Sequence, residues 1–307
     1  MKTLLATDGS VFSRLTEELA VRIPTMRSGD FIVASVANPP TPMMTPMMPI
    51  SDAVLAQNLS DIWQRVQADC EAHSQGAVDR LAAKGIKAES RLLEGSTSPA
   101  LMECAATEAC DVIAVGSRGE GAFKSFFLGS VARNLANHAK QSVLIGRHDE
   151  DHDADATMAR VSMLKKLRIV AACDGSDGAN VALQALADCG EDTFEEIFVI
   201  CAEPLLGLPL GIPASVYESS LRYEEEQAKE VVSQAAHLLQ ECAVRTVAEI
   251  KVGRPADVIC DAARRHKADL VVIGASRHGT LERALLGSVA FEVATHAPCS
   301  VWIVRPK

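Results

Sequence analysis

The feature that most narrows what this chain can fold into is a repeat within it. Leu4-Leu5-Ala6-Thr7-Asp8-Gly9-Ser10 returns as Val170-Ala171-Ala172-Cys173-Asp174-Gly175-Ser176. Gly116-Ser117-Arg118-Gly119-Glu120-Gly121, followed by Leu128-Gly129-Ser130-Val131-Ala132, returns as Gly274-Ala275-Ser276-Arg277-His278-Gly279, then Leu286-Gly287-Ser288-Val289-Ala290. Asp174 lies 166 positions after Asp8 and Gly287 lies 158 after Gly129, so the two copies differ by a net eight residues. Each copy is a unit of roughly 150 residues, the ordinary size of one domain.

Within each copy, short apolar runs alternate with helical patterns. In the first, strands are predicted at Leu4–Thr7, Phe31–Ala37, Ile86–Leu93, Val112–Val115 and Ser142–Ile145. Between them helices are predicted from Ser10 to about Met26, over Asp52–Lys84 with Gly85 as the stop, over Pro99–Ala109 and over Ser130–Ala139. The second copy repeats this from Leu167 to Val304. Strands apolar on both faces and separated by helices build parallel sheets covered on both sides. The expectation is therefore α/β: two doubly wound domains, each with a five-stranded parallel sheet, over residues 1–147 and 164–307. Their apolar last strands are natural pairing elements, and the halves are expected to pack about a pseudo-twofold axis.

Between them, residues 148–163 begin His148-Asp149-Glu150-Asp151-His152-Asp153 and read as a solvated acidic linker. Pro39 to Ile50 (PPTPMMTPMMPI) is a loop whose counterpart, Pro204 to Pro213, also carries proline. Thioethers suit Cu(I), but an apolar flap over a crevice, or a partner surface, is the preferred reading, because the second loop has no methionine.

Bulk properties exclude several classes. A net charge of −10 disfavours a general nucleic-acid or anionic-membrane surface. The nine cysteines form no C-x-x-C pair, which disfavours a disulfide framework or zinc site. Asp8 interrupts the N-terminal apolar run too early for a signal peptide, and no run spans a bilayer, so the expected location is the cytoplasm. Neither G-x4-G-K-[ST] nor G-x-S-x-G occurs, and Lys124 stands where a dinucleotide fingerprint needs its third glycine. His138 and His296, near helix ends, read as partners of the helix dipole.

The spacing G-x2-G-x9-G-S (Gly116, Gly119, Gly129, Ser130) places a glycine turn between a strand and a helix N-terminus, where backbone N–H groups can face phosphate. Asp8, closing the first strand, could accept from a ribose, help hold a phosphate-bound cation, or simply cap the next turn. In an open parallel sheet these features meet only if the first and fourth strands are neighbours where the strand order reverses.

The strand-end Asp-Gly-Ser, the glycine motif after the fourth strand, the Leu-Gly-Ser-Val that follows and the His-Ala before the last strand together resemble the universal stress protein family, as a tandem member. The resemblance covers essentially the whole chain outside the linker. It implies an adenine nucleotide alpha hydrolase-like fold and binding of ATP, usually with Mg²⁺. The implied first site is Asp8, Val36, Val115, Gly116, Gly119, Gly129, Ser130 and Val131. The implied second site is Asp174, Cys201, Ile273, Gly274, Gly287, Ser288 and Val289, with Arg277 where the first copy has Gly119; its side chain would obstruct the backbone or itself reach a phosphate. The expected function is an ATP-binding stress-response or regulatory protein, with at most slow hydrolysis and able to form homo-oligomers. A slow ATPase, and a scaffold with vestigial sites, are the rivals.

Overall fold

The computed structural model describes residues 1–39, 52–119, 128–148, 154–190, 193–203, 214–240, 245–275 and 286–306. The first half runs β1 (Thr3–Ala6), α1 (Val11–Ala20), α2 (Pro24–Arg27), β2 (Phe31–Ala37), α3 (Asp52–Ala83), β3 (Ala88–Glu94), α4 (Thr97–Thr107), β4 (Val112–Gly116), α5 (Ser130–His138) and β5 (Ser142–Gly146). After α6 (Ala154–Met163), the second half runs β6 (Leu167–Ala172), α7 (Asp177–Ala187), β7 (Phe194–Glu203), α8 (Ala214–Gln240), β8 (Thr246–Val252), α9 (Pro255–Arg265), β9 (Leu270–Gly274), α10 (Ser288–His296) and β10 (Ser300–Val304).

Local chemistry sets several boundaries. Ser10 and Ser176 cap α1 and α7, each hydroxyl accepting from the backbone N–H three residues on. The helix predicted to run to Met26 stops at Ala20 and restarts at Pro24, with Ile23 extended (φ −90°, ψ 109°). Proline lacks the N–H an unbroken helix needs and pushes the preceding residue out of the helical region.

The ten strands form one sheet in the order β3-β2-β1-β4-β5-β10-β9-β6-β7-β8. Every neighbouring pair is parallel except β5 and β10, which run antiparallel with Leu144 opposite Trp302. The two expected five-stranded parallel sheets are thus joined through their last strands. Alternate strand residues face two cores. One contains Ile113, Ile145, Ile273 and Ile303 with residues of α4, α5, α9 and α10; the other contains Leu144 and Trp302 with residues of α1, α3, α7 and α8. Equivalent helices lie on the same face while the strands reverse. The halves are therefore related by a pseudo-twofold axis across the sheet, and their strand carboxyl ends open at opposite ends of it.

Two arginines lock this seam. The buried Arg147 donates to the carbonyls of Ala294 and Thr295 at the end of α10, and the buried Arg305 donates to the carbonyl of Ala136 near the end of α5. Each half thus supplies a cation to the negative end of the other's last helix. Ser300 and Ser142 complete the symmetry by accepting from the backbone N–H groups of Arg147 and Arg305, both at 3.0 Å.

The stretch expected to be a solvated linker is in part structure. Residues 149–153 lie outside the described residues, but 154–163 form α6, whose Val161 is buried against the core and whose Arg160 pairs with Asp269 at 2.6 Å. Only the first part of 148–163 is strongly acidic; alanine and methionine in the rest favour helix. The Pro/Met loop at 40–50 lies outside the described residues, as does Pro204 to Pro213.

Candidate functional site

In each half the strand order turns back between β1 and β4, or β6 and β9, and those strands pair directly. At the carboxyl ends of such a pair the outgoing chains diverge to opposite faces and leave a crevice. In the first half it is a cavity of about 610 Å³ among the described residues. Asp8 enters it from the end of β1, and Val36 from β2. Val115, Gly116 and Gly119 line it from β4 and the turn after it, and Gly129, Ser130 and Val131 from the start of α5. All eight residues expected in the first site therefore share one crevice.

The glycines there have steric reasons. A Cβ on Gly116 would lie 2.9 Å from Cβ of Phe12, and one on Gly129 would lie 2.8 Å from the carbonyl oxygen of Ser117. One on Gly119 would lie 2.7 Å from Oδ2 of Asp8, so this turn runs directly against the carboxylate. Oδ1 of Asp8 accepts from the backbone N–H and hydroxyl of Ser10, at 3.1 and 2.6 Å, which fixes the carboxylate at the crevice edge. Arg118 lies over the Phe12 ring, 5.9 Å from its centroid, and that ring stacks on His148.

The second crevice is narrower, about 160 Å³ among the described residues. It gathers Asp174, Ile273, Gly274, Gly287, Ser288 and Val289. Asp174 accepts from the backbone N–H of Ser176 at 3.0 Å, as Asp8 does from that of Ser10. Arg277 and Gly279 lie outside the described residues.

Cys201 does not face this crevice. It packs with Ala228 and Val232 of α8 on the other side of the strand, while Ile200 and Ala202 line the crevice. The ladder explains the displacement. Leu4 pairs with Ile32 and its equivalent Val170 with Phe198, which makes Ala202 the counterpart of Val36. Matching Cys201 to Val36 slips the register by one residue, and a slip of one reverses the face. Burial pushes the Cys201 thiol up to about 11. Among the described residues all cysteines are free.

Several lining residues carry no sequence signature. Asp69, Cys70 and His73 come from α3, Thr97 from α4, and Thr7 and Ser13 from the β1–α1 corner. Their helices gave no indication of which face meets the crevice, although a helix after the second strand must cover some part of it.

A doubly wound sheet with a crevice at each strand reversal, bordered by a strand-end aspartate and a helix N-terminus, defines a tandem α/β protein. The model of the "Universal stress protein family" matches residues 1–147 and again 167–305. The chain belongs to the universal stress protein family, with the family domain present twice. A universal stress protein of Methanocaldococcus jannaschii is 33% identical over 141 residues, 45% of this chain and 81% of the relative. One from Mycolicibacterium smegmatis is 24% identical over 250 residues, covering 80% of this chain and 74% of the relative. The crystal structure of a universal stress protein from Archaeoglobus fulgidus shares the fold across 99% of this chain and 98% of that one, with a TM-score of 0.59 and 20% identity. No described helix is long and apolar enough to cross a membrane.

Proposed function

We propose that this protein binds ATP in its first crevice and acts as a regulatory protein whose conformation or assembly depends on that occupancy. The observation that carries the reading is the convergence of Asp8, the Gly116–Gly119 turn and the N-terminus of α5 on one cavity. Its volume of about 610 Å³ falls within the range of roughly 300–1,000 Å³ common for small-molecule sites. Phosphates would meet the backbone N–H groups at Ser130 and Val131 and the positive end of the helix dipole.

Mg²⁺ fits this arrangement as a passenger. Among the described residues no group of three or more His, Cys, Asp or Glu side chains is placed to hold a metal ion. Mg²⁺ commonly needs only one or two carboxylates beside the phosphates of a nucleotide, and Asp8 would be the one offered here. Hydrolysis is expected to be slow at most, because Asp8, the carboxylate against the glycine turn, has one oxygen committed to Ser10, and rapid water attack needs a positioned base paired with an acid. Nucleotide then acts by favouring the state that binds it better.

The test is calorimetry of the full chain with Mg·ATP, for the wild type and for Gly119→Val. The valine side chain would be driven into the Asp8 carboxylate, and loss of the first-crevice binding is expected. Unchanged affinity in the variant would show that the turn does not approach phosphate. Rapid, saturable phosphate release would replace the binding role by an enzymatic one.

A further inference from the structure

We propose that His73 is the residue through which the first crevice distinguishes a phosphorylated nucleotide from the bare nucleoside. The inference rests on the nucleotide reading above. His73 reaches down from α3 onto the turn after β1, where its Cδ2 and Nε2 atoms lie 2.7 Å from the place a Cβ on Gly9 would take. Gly9 has φ +77°, so this residue must be glycine both for the turn and for the ring above it. The ring lines the same cavity as Asp8 and Gly119. Asp8 links the two: its chain neighbour Gly9 carries the imidazole, and its own carboxylate abuts Gly119. His73 therefore stands at the glycine-turn end of the crevice, where the nucleotide reading puts the phosphates.

The second half is an internal control for what the fold requires at this position. There the equivalent contact is made by Val231, whose Cγ2 lies 2.8 Å from the corresponding place on Gly175. Packing over the turn is thus satisfied by an aliphatic side chain, and nothing in the architecture demands an imidazole. Among the described residues no hydrogen bond engages His73. The lining also offers neutral donors, among them Thr7, Ser13, Asn38, Thr97 and Ser130, and the Arg118 guanidinium, which rests over Phe12; His73 is the one imidazole among the described lining residues. An imidazole N–H offers a phosphate oxygen the hydrogen bond that valine cannot. No described basic side chain lines the second crevice.

The experiment compares ATP and adenosine binding to the full chain, by calorimetry, for the wild type, His73→Val and His73→Gln, reading the site that Gly119→Val abolishes. Unfolding midpoints check that each variant is folded. The valine variant is expected to weaken ATP about tenfold and to leave adenosine within about twofold. Glutamine, which keeps a side-chain N–H donor, is expected to restore most of the ATP affinity. An unaltered ATP affinity in His73→Val, or an equal loss for ATP and adenosine, overturns the inference and leaves the nucleotide reading standing. A wild-type chain that binds no ATP overturns the nucleotide reading, and the inference with it.

Discussion

The two crevices share a frame and differ at a few described positions around the turn after their first strand. Both have an aspartate at the end of a strand, a serine cap whose N–H holds it, and a helix opening with Gly-Ser. Around that frame the first half places Thr7, Ser13 and His73 where the second has Cys173, Ala179 and Val231. Thr7 and Ser13 lie within hydrogen-bond distance at 3.3 Å; the sulfur and methyl that replace them offer no comparable pair. Turns, caps and close backbone approaches are what the fold needs, and these persist in both halves. The lining is free to diverge, and among the described residues the first crevice carries Thr7, Ser13 and His73 where the second carries none of these.

Exchanging equivalent residues between the halves tests this division. The largest effect is expected where each half packs its last strand on its first helix. A Cβ on Gly146 would fall 2.0 Å from Oγ1 of Thr16, whereas the second half accommodates Val304 with Ala182 at the equivalent places. Gly146→Val should destabilise the protein by about 3 kcal/mol. Adding Thr16→Ala should recover much of that in denaturant unfolding. No recovery would mean that the halves are not interchangeable even in their cores.

Next come the seam arginines. Arg147→Ala and Arg305→Ala each leave buried helix-end carbonyls without a donor and should each cost about 2 kcal/mol. By the pseudo-twofold the two losses should agree closely; strongly unequal losses in chemical denaturation would show that the seam is asymmetric in energy.

Replacing Thr7 and Ser13 together by cysteine and alanine gives the first crevice the second's lining at that corner. Stability should change by about 1 kcal/mol, and ATP affinity should fall several-fold by calorimetry. An unchanged affinity would show that the lining difference is not what separates the crevices.

The smallest effect is in acid. Burial alone would raise the Glu18 carboxyl, but hydrogen bonds from Lys84 and Arg22 outweigh it and hold the group below the usual carboxylate range. In the second half burial likewise opposes Arg265 and His266 at Glu249, and the net direction is again downward. A carboxyl depressed in the folded state stabilises the protein above its unfolded pKa and loses that contribution as pH falls through the folded value. Stability should therefore decline below about pH 4.5, the reference value for glutamate. Glu18→Gln or Glu249→Gln should each flatten the decline by up to about 1 kcal/mol. A steep effect confined to one half would identify that half as the acid-labile one.

Much of the architecture was legible because it is written in local chemistry. The duplicated Asp-Gly-Ser and Gly-Ser phrases, the runs of Val, Ile, Leu and Ala, and the stop at Gly85 depend on neighbours within a few residues. They suffice for strand–helix alternation, its duplication and the Gly116, Gly119, Gly129 and Ser130 spacing; the full set of eight residues in the first crevice came from the family resemblance. Where the first helix would break was less clear, because an amphipathic pattern continues past Ala20 and only the proline geometry interrupts it.

What the sequence determined by itself was the repeated unit and the landmarks at its strand ends. The tertiary structure decided which side each residue faces and which distant residue it meets. Cys201 and Ala202 differ by one position, and only the ladder with β6 shows that the alanine reaches the crevice. His73 and Gly9 lie far apart in sequence, and only the packing of α3 over the first turn joins them. The single sheet likewise required β5 and β10 to meet, together with the arginine exchange that accompanies their pairing. Local backbone preferences are short-ranged, whereas the face of a strand and the neighbours of a helix are selected by register and burial between segments remote along the chain.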